Sequence, residues 1–135
     1  ALRRGLADGT IDAVCSDHTP VDDDAKLVPF GEAEPGATGL EVFLPLVLKW
    51  GAQIKLPLAE TLAAATSRAA AVLGIDAGRL EPGCAADLCL FDPERPWVVT
   101  REALASQGRN SPFLGLELAG RVATTIVDGR VVYPG

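Results

Sequence analysis

Gly9-Thr10-Ile11-Asp12-Ala13-Val14-Cys15-Ser16-Asp17-His18-Thr19-Pro20 is the stretch that decides the fold. Ile11, Ala13 and Val14 are apolar and partly β-branched, as a buried strand requires. Asp17 and His18 follow at its carboxyl end, and Pro20 stops regular pairing. In α/β barrels the reacting groups stand at the carboxyl ends of strands, where the βα loops build the site. A strand followed by Asp-His-x-Pro is therefore a candidate metal or acid–base position. An Asp in this place also serves as an ordinary Asx-turn or helix-cap residue. A single His more often makes one satisfied polar contact than a metal site, and this chain has only one. Zinc takes three or four protein ligands, so this chain alone is not expected to form a complete zinc site.

Working outward, Ala1 to Ala7 reads as a helix end and Asp8-Gly9 as the turn that follows it. Beyond Pro20, Val21-Asp22-Asp23-Asp24-Ala25-Lys26 is an acidic loop. Three carboxylates in a row can bind a cation, although such runs are ordinarily just hydrated. Val28 to Thr38 is expected to be loop, with Pro29, Gly31, Pro35 and Gly36 along it. Long loops often carry function, and Gly36 and Gly39 let backbone approach a ligand closely. A plain connector would read the same way.

Leu40, Phe43, Leu44, Val47 and Leu48 recur at spacings of three and four, so Gly39 to Trp50 is expected to be helical, starting late or kinked at Pro45. Pro57 suits a second helix start. Leu58 to Leu73 is rich in Ala and Leu, and Gly74 is its expected C-cap. After Gly74 the period changes. Ala86 to Phe91 reads as a strand ended by Asp92-Pro93, Trp97 to Val99 as another, and Thr100 to Ala105 as a short helix capped by Thr100. Arg121 to Val127 and Arg130 to Tyr133 flank Asp128-Gly129, a strong two-residue hairpin signal.

Composition narrows the classes. The 135 residues are 48% hydrophobic with a formal charge of −6, enough apolar material for one domain. No basic cluster exists, so nucleic-acid binding has no electrostatic footing. No apolar run is long enough to span a bilayer, so no membrane partner is expected. Cys15, Cys84 and Cys89 make an odd count without a staple pattern. They suggest a reducing, cytoplasmic setting and small buried hydrophobes. The absence of Met and the helix-like opening suggest a piece of a longer chain. A trimmed amino terminus accounts for both equally well.

Asp8-Gly9-Thr10-Ile11-Asp12, Ser16-Asp17-His18-Thr19-Pro20, Glu32-Ala33 to Gly39-Leu40-Glu41, Gly78-Arg79-Leu80 with Gly83 and Ala86-Asp87-Leu88, Asn110-Ser111-Pro112-Phe113-Leu114-Gly115, and Gly120-Arg121-Val122 to Asp128-Gly129-Arg130 occur in this order. Together they resemble the carboxyl-terminal third of class I dihydroorotases in the amidohydrolase superfamily. Hydantoinases and allantoinases share most of these motifs, and the Asn-Ser-Pro-Phe run favours the dihydroorotase branch. The resemblance implies an α/β fold. Residues 1–78 would be the last strand and outer helices of a (β/α)8 barrel, and residues 79–135 the carboxyl-terminal part of a small β-sandwich. It also implies reversible ring closure of N-carbamoyl-L-aspartate to L-dihydroorotate and water in pyrimidine biosynthesis, with zinc, commonly as a binuclear pair.

By the same resemblance, Asp17 aligns with the carboxylate that binds metal and shuttles the proton. Pro35 and Gly36 align with the loop whose backbone holds the substrate. The family usually reads Asp-His-x-Pro-His, and the second His helps to bind the substrate carboxylate. Here that position is Val21, which carries no charge or hydrogen-bond donor; Lys26 is the neighbouring cation. Catalytically inactive dihydroorotase-like chains also exist as structural partners of aspartate carbamoyltransferase, and Val21 is compatible with that role. A homo-oligomer and a small-molecule substrate are expected. The further metal ligands of the family lie outside these residues, so the piece alone is expected to be inactive.

Overall fold

A computed structural model describes residues 1–135. Four α-helices and one short 3-10 turn, Asp23–Lys26 within the expected acidic loop, precede a three-stranded sheet: α1 (Leu2–Asp8), α2 (Leu40–Gln53), α3 (Leu58–Ala63), α4 (Ser67–Leu73), β1 (Leu88–Val98), β2 (Glu117–Val127) and β3 (Arg130–Pro134). The sheet is antiparallel in the order β1-β2-β3. The Asp128-Gly129 turn joins β2 to β3 with φ of 48° and 73°, the left-handed pair a two-residue hairpin needs.

The core lies where α2 crosses the sheet. Val42 of α2, Leu118 of β2, Val99 just past β1 and Leu104 form one buried cluster, flanked by Leu46, Trp97 and Phe113. Gly120 lets the helix approach β2, since a Cβ there would stand 2.7 Å from Leu48 Cδ1. Pro45 sits inside α2 and is buried. It removes only the hydrogen bond to the Glu41 carbonyl, so the helix still starts at Leu40. On the far side α2 meets α3, where Gly51 faces Thr61.

The opening stretch departs from expectation. Residues 10–16 form no strand ladder, and Ile11, Ala13 and Val14 are only half-buried. A strand exists through its neighbours, and all the strands of this chain lie beyond residue 87. The Val14 N–H instead donates to the Ala64 carbonyl at 3.0 Å. That bond lies beside a second difference. The helix expected over 58–73 is two helices: Thr66, at φ −130° and ψ −96°, leaves the helical region, and the Ala64 carbonyl before it accepts from Val14.

Two expectations in the carboxyl-terminal half also change. Asp92-Pro93 does not end the strand. Asp92 Oδ1 accepts the N–H groups of Glu94 (2.9 Å) and Arg95 (3.2 Å), so these residues bulge and pairing resumes at Pro96. Pro93 is tolerated because β1 is an edge strand. Thr100 to Ala105 is a turn, not a helix. Thr100 Oγ1 caps the Ala103 N–H at 3.2 Å, but Leu104 then dives into the core and takes the chain out of helical register. The cysteines are unpaired, and Cys15 and Cys89 are exposed rather than buried. Cys15 lies on the ladderless segment and Cys89 on the open edge strand.

Candidate active site

Asp17 has a left-handed backbone conformation, with φ of 46°. Two other non-glycine residues have positive φ: Asp128 in the hairpin, and Lys55 just past α2. Asp17 is the one that adjoins no helix or strand. Asp tolerates this left-handed region better than most residues, and such conformations gather at functional sites. Its side chain is exposed and makes no hydrogen bond within the chain.

The two residues after Asp17 are tied down. His18 Nδ1 accepts the N–H groups of Gly39 (3.2 Å) and Leu40 (3.1 Å) at the start of α2. The Thr19 N–H donates to the Ala37 carbonyl at 3.0 Å. Residues 18 and 19 are therefore laid along residues 37–40, with Thr19 packed against Gly36. Gly36 has φ of 129°, and a Cβ there would stand 2.5 Å from the Thr19 carbonyl oxygen. Only glycine fits this contact. The Gly36 N–H donates to nothing within the chain.

A third segment supports the loop from behind. Asn110 Nδ2 donates to the Gly36 carbonyl at 3.3 Å, and the Thr38 N–H donates to the Asn110 carbonyl at 2.7 Å. Buried Thr38 donates its hydroxyl to the Gly108 carbonyl. Glu41 Oε1 accepts both the N–H and the hydroxyl of Ser106 at 2.8 Å. Partial burial pushes the Glu41 carboxyl upward, but the two Ser106 bonds outweigh it and hold the group below the ordinary glutamate range.

Val21 follows Pro20 and is half-buried, with its backbone against Gly108. Lys26 donates from Nζ to the Glu34 carbonyl, so its ammonium rests on the residue before Pro35. In the acidic run, Asp23 pairs with Arg101 across the fold. No three His, Cys, Asp or Glu side chains gather into a metal-binding group. At this site the chain contributes Asp17, a carboxylate with no partner within the chain, and not a complete metal site. The links through Asn110, Ser106 and His18 were missed in the sequence. The Asp-His-x-Pro motif marked His18 and the Asn-Ser-Pro-Phe run marked Asn110, but neither named a partner, and nothing marked Ser106.

Residues 1–132 match the model of the Amidohydrolase family. The chain is 47% identical over 133 residues to a dihydroorotase of Geotalea daltonii, covering 98% of this chain and 31% of that protein. A dihydroorotase-like protein of Pseudomonas putida is 44% identical over 132 residues, with the same coverage. The chain spans about a third of the length of these curated relatives. Among solved structures, a D-hydantoinase (dihydropyrimidinase) from Thermus sp. superposes with a TM-score of 0.86 at 29% identity. It covers 96% of this chain and 30% of that one. The fold class is accordingly that of a segment of an amidohydrolase (β/α)8 barrel with its appended sheet. Sequence and fold agree that the chain belongs to the amidohydrolase family, as a dihydroorotase-like member.

Proposed function

We propose that this chain is the carboxyl-terminal part of a zinc-dependent dihydroorotase. The parent protein would interconvert N-carbamoyl-L-aspartate and L-dihydroorotate, with release or uptake of water, in pyrimidine biosynthesis. The observation that carries this reading is the exposed carboxylate of Asp17, unpartnered within the chain and in a left-handed backbone conformation two residues before Thr19, which packs on Gly36. Residues 1–78 would belong to the barrel and residues 79–135 to the sandwich. A cytoplasmic location and a homo-oligomeric state complete the reading; no helix is long and apolar enough to cross a membrane.

The donor chemistry fits zinc. An unpartnered carboxylate offers a hard oxygen ligand, and the further ligands would come from the rest of the parent protein. Bound zinc supplies a water acidified to give hydroxide near neutral pH. Asp17 takes up a proton at its carboxylate and returns it to the ring nitrogen as the ring amide opens. The Gly36 N–H, unused within the chain, donates to the polar edge of the dihydropyrimidine ring. Pro35 limits the freedom of that loop. The test is dihydroorotate hydrolysis by the full-length protein with zinc, followed by ultraviolet absorbance. Asp17→Asn keeps the shape but loses the base, and turnover should fall by at least about 10²-fold. Undiminished turnover would remove Asp17 from the mechanism.

Val21 motivates a second reading. A chain without the substrate-binding His fits a non-catalytic subunit that scaffolds aspartate carbamoyltransferase. A folded full-length protein with no turnover, which co-purifies with that enzyme, is the outcome that selects it.

A further inference from the structure

We propose that His18 is the positioning residue of this site. Through its Nδ1 lone pair it seats the Asp17 segment on the first turn of α2. This inference rests on the role proposed for Asp17 above. The first N–H groups of a helix have no partner within the helix. A residue at the helix start ordinarily caps them, yet Gly39 has no side chain to do so. His18 serves instead, from 21 positions upstream, by accepting the N–H groups of both Gly39 and Leu40. An imidazole that accepts at Nδ1 is the neutral tautomer with its proton on Nε2.

The same ring fixes its neighbour. The Ser16 carbonyl lies close over Gly39, where a Cβ would approach it to 3.1 Å. The Thr19 N–H is fastened to the Ala37 carbonyl on the other side. Asp17, at φ of 46°, lies between the Ser16 carbonyl, packed over Gly39, and the His18–Thr19 peptide, bonded to Ala37. Its side chain has no hydrogen bond of its own, so its direction is set by the backbone on either side. Without the His18 cap, the peptide joining Asp17 to His18 is released, and the carboxylate loses its direction along with α2's cap.

The test compares His18→Leu, His18→Asn and Asp17→Asn in the full-length protein. Leu keeps bulk but accepts nothing. Asn places an acceptor oxygen as many bonds from Cα as Nδ1. His18→Leu should lower kcat by roughly 10- to 100-fold, the cost of a misplaced group, with KM held within about twofold. His18→Asn should recover most of that loss. Wild-type kcat in His18→Leu would overturn the inference. Equal loss in both variants, at wild-type melting temperature, would overturn it too, because the role would then belong to Nε2. Ring 15N spectra, with the His18 signal assigned by its loss in His18→Asn, need no turnover and no folded Leu variant. They should show the Nε2–H tautomer, and an Nδ1–H form would overturn the contact. If Asp17→Asn keeps full turnover, the Asp17 reading fails by itself while the tautomer still decides the cap.

Discussion

Gly36→Ala is the sharpest perturbation of the candidate site. The added methyl group meets two separate obstacles. A φ of 129° lies where only glycine is comfortable, and forcing another residue there costs about 1–3 kcal/mol. The new Cβ would also stand 2.5 Å from the Thr19 carbonyl oxygen and 3.0 Å from Thr19 Cγ2. Overpacking of this kind costs a further 1–3 kcal/mol or so. Partial relaxation of the loop brings the expected total to about 2–4 kcal/mol. That energy must appear in one of two places. If the loop keeps its shape, the urea midpoint of the full-length protein falls. If the loop shifts, stability is spared and KM for dihydroorotate rises, by about tenfold per 1.4 kcal/mol. Thr19→Ser added to Gly36→Ala should recover little, because it removes Cγ2 and leaves the main-chain oxygen in place. A Gly36→Ala protein with wild-type midpoint and wild-type KM would refute the reasoning. Full recovery by Thr19→Ser would refute the main-chain origin of the clash.

Val21→His should restore a charge-assisted hydrogen bond to the substrate carboxylate, worth roughly 1.5–3 kcal/mol. KM would then fall about 10- to 100-fold; an unchanged KM would mean that this position does not face the substrate. Glu41→Gln weakens the paired bonds to Ser106 and should cost about 1 kcal/mol in chemical denaturation near neutral pH. The folded Glu41 carboxyl is held below its ordinary value, so its contribution is full above the ordinary glutamate pKa. It is lost as pH falls through the lower folded value. The gap between wild type and Glu41→Gln should therefore close on acidification, and a gap that widens would contradict the assigned cause. Leu118→Ala opens a cavity between α2 and the sheet and should cost about 2–5 kcal/mol by thermal or urea unfolding; a loss under about 1 kcal/mol would mean the cluster is not the core.

The features legible in the sequence are those encoded by near neighbours. Asp128-Gly129 names its own turn, Gly74 ends α4 in a left-handed cap with φ of 66°, and the three-and-four spacing of Leu40 to Leu48 gives α2. The misreadings come from distant partners. The Ala-rich run over 58–73 looks like one helix, yet it breaks at Thr66, beside the Ala64 carbonyl that accepts from Val14, 50 positions upstream. Asp92-Pro93 looks like a stop until Asp92 is found folding its own side chain over the next two N–H groups. At the site, Asp17 and Gly36 were visible as types in a pattern. Their juxtaposition was not, because it depends on His18 reaching α2 and on Asn110 reaching Gly36 across 74 positions. A motif can mark such residues without saying what they touch.

The hydrogen bonds Gly36–Asn110, Thr38–Gly108 and Glu41–Ser106 each join a residue before position 78 to one after it. Recombination between related genes at that point would divide every one of these pairs between two parents. A hybrid would carry a complete sheet and complete helices, yet its 36–41 loop would lean on an unfamiliar 106–110 segment. These two short stretches are therefore expected to be inherited as a single unit, with exchange between them not tolerated.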